Sequence, residues 1–310
     1  RLVFDELFAH FLLSSKIRTK IKKIKKSQKI FKDCKENLIK DLNFKLTNDQ
    51  ESAIKIINED LKSKSRMFRL LQGDVGSGKT IVSMIAAVNS INAGYQASFM
   101  VPTEILAKQH FSFASKYLPK NIKVQMLTGK SKFTERKKIL EDLKNGNIDF
   151  LIGTHSLFQK KVEYKKLGLI IIDEQHKFGV RQRKELSEKG GNNCDVLVMS
   201  ATPIPRTMMM TVYGDMDLTL IKEKPKNRKK IITYSKLEDK ISEIISFVKK
   251  EIAQKNQIFW VCPLIEESKK VEQQSAVSKY KYLEKYFKGR IGLIHGSLDK
   301  DERNEILNNF

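Results

Sequence analysis

The sequence predicts an α/β protein with a mostly parallel, buried sheet. From residue 66 onward, short apolar segments typical of buried strands alternate with longer stretches of helical periodicity, which is the pattern of βαβ units. A glycine-rich segment, Gly73–Thr80, stands between the first apolar segment and an apolar helical stretch, as expected of a strand–loop–helix unit. The strand candidates are residues 67–71, 97–101, 123–127, 149–152, 168–173 and 195–199.

The segment Gly73–Thr80 reads Gly-Asp-Val-Gly-Ser-Gly-Lys-Thr and fits the phosphate-binding pattern G-x-x-x-x-G-K-[ST]. Glycines let the backbone turn tightly, so that several N–H groups converge on one phosphate. Lys79 adds a mobile positive charge for the β- and γ-phosphates, and the Thr80 hydroxyl is the usual magnesium ligand. The predicted phosphate-binding residues are Gly73, Gly76, Ser77, Gly78, Lys79 and Thr80.

Two adjacent carboxylates, Asp173 and Glu174, follow the apolar segment 169–172. At the carboxyl end of a strand, Asp173 can hold magnesium directly or through water beside the phosphates. Glu174 can polarise the attacking water as a general base. His176 would sense the γ-phosphate or couple the site to a moving element. We therefore predict catalytic roles for Lys79, Asp173, Glu174 and His176.

Polar residues follow other apolar segments as well. Ser200, Ala201 and Thr202 stand after the segment 196–199, where small hydroxyl residues can couple the magnesium site to a neighbouring domain. Thr103 begins a predicted helix whose N–H groups can hold a nucleic-acid phosphate. Two further short loops of this kind contain Thr128 with Gly129 and Thr154 with His155. An ordinary turn remains the competing interpretation for each loop taken alone.

Gln50 permits two interpretations. Thr47, with Gln50 three residues later, matches a capping box at the start of a helix. In the second interpretation the Gln50 amide, which both donates and accepts, lies against the edge of a purine. The sequence leaves both open.

The charge balance favours a polyanionic partner. The 310 residues include 59 Lys and Arg against 36 Asp and Glu, a net charge of +23, which indicates nucleic acid unless an A+T-rich genome produced the lysines. The basic run Lys20–Lys32 reads as a solvated face, with phosphate tracking as the competing interpretation. Three distant cysteines indicate a reducing compartment and no structural zinc. No apolar run approaches the ~20 residues of a membrane span.

Domain boundaries follow from changes in composition. Residues 1–40 read as a basic helical linker, 41–222 as the nucleotide-binding domain, and 223–230 as a linker rich in charge and proline. A second alternation then predicts strands near 231–234, 257–262 and 291–294, with a helix at 237–253. Because the sequence starts without Met and stops inside a predicted helix, we expect a fragment of a longer protein.

The order of these motifs resembles a superfamily 2 helicase, and several stretches resemble the RecG-type ATP-dependent DNA helicase family over nearly the whole chain. The resemblance rests on Phe44-x-Leu-Thr-x-x-Gln50, residues 72–80, Asp173–Val180, Ala201–Thr207, Tyr213–Asp217, Val261–Ser268 and His295-Gly296.

The resemblance implies two tandem RecA-like lobes, the second partial from residue 231, with ATP and Mg²⁺ between them. It implies a monomeric bacterial enzyme, cytoplasmic and nucleoid-associated, that translocates on double-stranded or branched DNA and remodels stalled forks and Holliday junctions. DNA would contact Thr103, Thr128, Gly129, Thr154 and His155. The family's wedge domain and late arginine finger have no counterpart here, so we expect ATP binding with little turnover by this chain.

The sequence also departs from the family pattern at two positions and leaves rival functions open. Lys177 stands where the family usually has Arg, and Ser200 where Thr is common. A transcription-repair coupling factor is the nearest rival, and Gln175 argues against it because that family usually has Glu there. A nucleotide-dependent DNA-binding module without turnover and a metabolic P-loop kinase are two more distant rivals.

Overall fold

The computed structural model describes residues 25–34, 45–129, 131–159, 161–173, 191–202, 216–225, 231–262 and 276–310, with scattered positions before residue 45. Its elements run in the order α1 Asn48–Lys62, β1 Phe68–Gly73, α2 Lys79–Asn92, β2 Gln96–Met100, α3 Glu104–Tyr117, β3 Val124–Leu127, α4 Phe133–Asn145, β4 Phe150–Gly153, β5 Leu167–Ile172, β6 Asp195–Ser200, β7 Asp217–Ile221, α5 Ile241–Ala253, α6 Ala276–Glu284 and α7 Lys300–Asn309. Short 3₁₀ helices cover His155–Phe158, Gly191–Asn193 and Glu238–Lys240.

One seven-stranded sheet organises the first part of the chain, in the order β3-β4-β2-β5-β6-β1-β7. Every strand pair in it is parallel. The six strands predicted from the alternating pattern are therefore confirmed, with ends that differ by one or two residues. The sequence prediction missed β7, which pairs with β1 from Arg69↔Asp217 to Gly73↔Ile221.

Helices cover both faces of the sheet, which explains the continuous apolar strands. Successive residues of one strand enter different cores: Leu71 belongs to a cluster that includes residues of α1, α2 and α3, whereas Leu70 belongs to a second cluster that includes Leu143 of α4. Strands buried on both faces favour apolar side chains at most positions, and β2, β4, β5 and β6 are buried throughout. None of the helices described is long and apolar enough to cross a membrane.

Residues 25–34, which we call the N-terminal strap, differ from the helix predicted over residues 1–40. The strap is not helical, and Lys25 forms an antiparallel bridge with Ser65 ahead of β1. The described positions between residues 4 and 19 are helical, as predicted.

The N-terminal strap also corrects the prediction of a solvated basic face. Lys26 and Lys29 have fully buried side chains, and the Nζ atom of each lies 2.6 Å from Oδ2 of Asp195 at the start of β6. Burial lowers the pKa of Lys26, an effect that Asp195 opposes. The main-chain N–H of Met67 donates to Asp195 Oδ1 at 2.7 Å. These lysines serve as internal partners of one carboxylate because their long side chains reach it from the strap.

The chain divides into two compact units, residues 1–229 and 230–310. In the second unit the helix predicted at 237–253 is confirmed as α5. The strands predicted near 231–234, 257–262 and 291–294 are wrong, since the described residues there form no strand. A strand requires a neighbour for its backbone hydrogen bonds. The apolar side chains of two of these segments stay exposed, with Ile231 at 69% and Val261 at 88%.

Candidate nucleotide and nucleic-acid site

The phosphate-binding loop joins β1 to the start of α2, as the motif requires. Gly76 and Gly78 have φ values of +74° and +86°, which only glycine adopts without strain. A Cβ at Gly78 would also collide with Nε2 of Gln50. The loop conformation therefore depends on glycine for two separate reasons at this position.

Gln50 supports the loop from α1. Its Oε1 accepts the Thr47 N–H at 3.0 Å, and Thr47 Oγ1 accepts the Gln50 N–H, so the predicted capping box is confirmed. Its Nε2 donates to the carbonyl oxygen of Ser77 at 2.7 Å. Only 1% of Gln50 is exposed. Both polar atoms of its amide therefore have partners within the protein, and one of those partners is the phosphate-binding loop.

Lys79 turns back onto its own loop. Its Nζ donates to the carbonyl oxygens of Gly73 at 2.7 Å and Asp74 at 3.1 Å. The side chain is mostly buried at the first residue of α2, and Thr80 follows half-buried. The two bonds therefore hold the Lys79 ammonium beside the first two residues of the phosphate-binding loop.

Ser77 provides an independent indication that the loop fits a phosphate. Its side chain is fully buried, and Oγ has no hydrogen-bond partner among the described residues. A buried hydroxyl without a partner is unusual in a folded protein. Together with the N–H groups that a helix start leaves without intrahelical acceptors, this hydroxyl suits an anionic ligand.

Asp173 follows β5 directly, and its N–H donates to the Met100 carbonyl oxygen at 2.8 Å. Its carboxylate is nearly buried, and Oδ2 lies 3.5 Å from Nε2 of His110 on α3. Glu174 and His176, predicted as the general base and the γ-phosphate sensor, lie outside the described residues. Asp173 is thus the one predicted carboxylate that the described part of the site contains.

The carboxyl ends of β5, β6 and β1 lie side by side at one edge of the sheet. Gln72 on β1 is level with Ser200 on β6, and Ile172 on β5 is level with Val198. Ser200 is buried, and its Oγ lies 3.0 Å from Thr202 Oγ1. The structure therefore brings together Gly73–Thr80, Asp173 and the segment Ser200-Ala201-Thr202 at one edge.

The loops after β2, β3 and β4 occupy the same edge, and we call their described residues the tip loops (residues 101–104, 128–129, 131–132 and 154–159). Thr103 caps α3 by accepting the Leu106 N–H, and it is exposed together with Gly129 and His155. Ser156 Oγ donates to the Leu127 carbonyl oxygen at 2.9 Å, which joins the second and third loops.

Two threonines of the tip loops are more buried than expected of side chains that contact a DNA phosphate. Thr128 is 6% exposed and Thr154 is 3% exposed. Thr154 Oγ1 has no hydrogen-bond partner among the described residues. The exposed members of the tip loops therefore offer the better contacts for a ligand.

Magnesium fits the donors present. No group of three or more His, Cys, Asp or Glu side chains suited to a metal ion occurs in the described ranges. Mg²⁺ in nucleotide sites uses one or two protein oxygens together with substrate phosphates. The hydroxyl of Thr80 and the carboxylate of Asp173 would supply those oxygens.

The sequence prediction gave no role to His110, Lys26, Lys29 or Asp195. His110 belongs to the helix predicted to begin at Thr103, but its helical position did not reveal which strand it faces. The partner of Lys26 is 169 residues away in the chain. These contacts join residues that are distant in the sequence, so they become visible only in the folded structure.

The parallel sheet, the phosphate-binding loop and the carboxylate after β5 are the features of a P-loop nucleotide-binding domain. The family model for the DEAD/DEAH box helicase matches residues 47–211. The chain belongs to this family. The chain is similar to ATP-dependent DNA helicase RecG in both sequence and structure. The resemblance predicted from the sequence motifs is thereby confirmed.

The RecG of Bacillus subtilis is 49% identical over 275 residues, which are 88% of this chain and 40% of the relative. The RecG of Thermotoga maritima is 46% identical over 316 residues, covering all of this chain and 40% of the relative. A solved structure of RecG bound to a three-way DNA junction aligns with 99% of this chain and 40% of its own, at 40% identity and a TM-score of 0.80. The chain thus spans two fifths of the length of these relatives.

Proposed function

We propose that this chain is the nucleotide-binding motor part of a RecG-type ATP-dependent DNA helicase that acts on branched DNA. The observation that carries the proposal is the shared edge of the sheet, where the phosphate-binding loop, Asp173 and Ser200–Thr202 lie at neighbouring strand ends. The similarity to a RecG structure bound to a three-way DNA junction supports the same substrate class here. We extend the proposal to remodelling of stalled forks and Holliday junctions, by a monomer beside the bacterial chromosome.

The nucleotide-binding residues have distinct roles in this proposal. Backbone N–H groups of Gly76, Ser77 and Gly78 would surround the phosphates, and Lys79 would leave the Gly73 carbonyl oxygen to neutralise them. Thr80 and Asp173 would hold Mg²⁺, which supplies charge neutralisation at the transferred phosphoryl group. Gln50 would act on the nucleotide through Ser77, because its amide is already bonded to that loop residue.

Hydrolysis would depend on residues next to Asp173. Glu174 would orient and deprotonate the attacking water, and His176 would respond to the γ-phosphate. Ser200, Ala201 and Thr202 would couple this edge to a second lobe. We assign residues 41–222 to the first lobe, 1–40 and 223–230 to linkers, and 231–310 to part of the second lobe. The division of the chain near residue 229 supports this assignment.

The tip loops would contact the DNA backbone. Thr103, Gly129 and His155 are exposed at the edge that carries the nucleotide site, and Thr128 and Thr154 lie beneath them. Contacts to phosphates suit a motor that moves over any sequence, since phosphates carry no base information. The net charge of +23 favours this binding.

The test measures ATP binding, three-way junction binding and hydrolysis by this chain. We expect Lys79→Ala to lose ATP affinity and to keep junction binding. Glu174→Gln should keep ATP binding and abolish whatever hydrolysis the unsubstituted chain shows. ATP binding that survives Lys79→Ala unchanged would overturn the assignment of the loop, and equal affinity for a junction and a linear duplex would overturn the assignment of branched DNA.

A further inference from the structure

We propose that His110 is a positioning residue, which orients the Asp173 carboxylate and so links the start of α3 to the metal side of the nucleotide site. The proposal rests on the proposed function, because it takes Asp173 as a magnesium ligand. It goes beyond that function in naming the side chain through which a nucleic-acid contact reaches the carboxylate.

The first observation is the contact itself. His110 Nε2 lies 3.5 Å from Asp173 Oδ2, and the two side chains are 11% and 13% exposed. Nε2 is buried and has no hydrogen-bond partner among the described residues. Buried polar atoms are nearly always hydrogen-bonded, and a carboxylate oxygen can only accept. Among the residues that the structure describes, Asp173 places a carboxylate oxygen beside Nε2, and this oxygen can accept an Nε2–H.

The second observation is the fixed position of the imidazole. Its ring packs on the ring of Phe99 in β2, with 4.7 Å between centroids. Phe99 is completely buried in the sheet next to β5. The imidazole is therefore held between the helix and the strand, so a displacement of α3 carries Nε2 with it.

The distance of 3.5 Å between His110 Nε2 and Asp173 Oδ2 is longer than a hydrogen bond between such atoms. A hydrogen bond between nitrogen and a carboxylate oxygen spans about 2.7–2.9 Å. A displacement of α3 by well under 1 Å would bring Nε2 into that range. A donor on one carboxylate oxygen fixes the plane of the carboxyl group, and with it the direction of the other oxygen. A hydrogen bond between His110 and Asp173 would thus orient the Asp173 carboxylate for binding Mg²⁺.

Helix α3 connects this contact to the tip loops. Thr103 caps the helix and is exposed at the edge proposed for DNA. His110 lies two turns further along, roughly 10 Å away at 1.5 Å per residue. A phosphate held at the start of α3 would therefore move the imidazole as part of one rigid element. Metal binding at Asp173 and nucleic-acid binding at the tip loops would favour each other.

The test uses four variants of the full chain and measures the affinity for a fluorescent ATP analogue in Mg²⁺ and in EDTA, with and without a three-way junction. His110→Leu keeps the volume and removes the donor. His110→Gln keeps a donor near the position of Nε2, whereas His110→Asn has a donor that falls short of it. Gln109→Leu, at the exposed neighbouring position on the same helix, is the matched control.

We expect His110→Leu and His110→Asn to weaken binding in Mg²⁺ about tenfold, to leave binding in EDTA unchanged, and to lose the gain that the junction gives. His110→Gln should recover most of both effects, and Gln109→Leu should match the unsubstituted chain. The comparison of Gln with Asn keeps the test valid if His110→Leu does not fold.

Two results would overturn the proposal alone. One is binding in Mg²⁺ that none of the His110 variants changes. The other is an equal loss in Mg²⁺ and in EDTA, which would show that His110 only supports the fold. If the unsubstituted chain itself bound the analogue equally with and without Mg²⁺, the metal role of Asp173 in the proposed function would fall, and this proposal with it.

Discussion

Lys26 Nζ lies 2.6 Å from Asp195 Oδ2, and neither side chain is exposed to solvent. Lys29 Nζ contacts the same oxygen, and Asp195 Oδ1 accepts the N–H of Met67. One carboxylate thus joins the N-terminal strap to the amino ends of β1 and β6. The carboxyl ends of those two strands carry the phosphate-binding loop and Ser200–Thr202.

Substitution of Asp195 by Ala should destabilise the first unit by about 3–5 kcal/mol, because two buried ammonium groups lose their negative partner and the Met67 N–H loses its acceptor. Urea unfolding at pH 7 measures this loss. Asp149→Ala is the control, since Asp149 accepts one exposed main-chain N–H, from Lys123, and should cost about 1 kcal/mol. A cost for Asp195→Ala no larger than that of the control would contradict the role of this carboxylate.

Substitution of Gly78 by Ala should lower ATP affinity at least tenfold. The new Cβ is strained at φ +86° by about 1–2 kcal/mol and collides with Gln50 Nε2, so the loop or the Gln50 side chain that supports it must shift. Gly94→Ala is the matched control, since Gly94 has φ +80° but no neighbour within 4 Å. Gly94→Ala should lose stability through the backbone strain alone and keep its ATP affinity, and equal ATP affinity in the two variants would refute the argument.

Gln50→Ala should weaken binding of ATP and GTP by the same factor, because Gln50 reaches the nucleotide through the Ser77 carbonyl oxygen. Thr47→Ala removes the other half of the capping box and should cost about 1 kcal/mol of stability with nucleotide affinity retained. Competition titrations with the two nucleotides provide the measurement. A loss confined to ATP would favour the purine-edge interpretation that the sequence left open.

Alkaline pH should destabilise the first unit through two buried thiols. Burial raises the pKa of Cys34 and of Cys194 from 9.0 to about 12. Between these values the folded protein keeps protons that the unfolded chain releases, so stability falls as pH rises from 9 toward 12. At pH 10 the loss is about 1 kcal/mol for each thiol.

The measurement compares urea midpoints at pH 8 and pH 10. The double variant Cys34→Ala/Cys194→Ala should show a smaller decrease between the two pH values than the unsubstituted chain. This comparison removes the effect of Tyr164, whose pKa burial also raises, because Tyr164 is present in both proteins. Equal decreases would show that the thiols ionise freely in the folded state.

Local patterns explain which parts of the fold the sequence predicted. Strands buried on both faces are apolar at most positions, so β1, β2, β4, β5 and β6 stood out from the helices between them. The edge strand β7 buries only some of its residues and leaves Leu218 and Leu220 partly exposed, so its pattern is weaker. In residues 231–310 the apolar segments had a strand pattern but no strand partner in the described structure.

In the candidate site, too, the features that depend on local spacing were predicted and the contacts between distant residues were not. The spacing within Gly73–Thr80 is local, so the loop and its place between β1 and α2 were predictable. The contact of His110 with Asp173 and that of Lys26 with Asp195 depend on which elements become neighbours. A single sequence does not contain that information, because many positions on α3 or on the strap would satisfy the same periodicity.

The bonds from Lys79 to the carbonyl oxygens of Gly73 and Asp74 have a consequence for how the nucleotide enters. The ammonium bridges two carbonyl oxygens at the start of the loop and so holds these residues in one conformation. On phosphate binding the ammonium would exchange these acceptors for phosphate oxygens, without a refolding of the loop. The proposed motor function would use such an exchange in each nucleotide cycle.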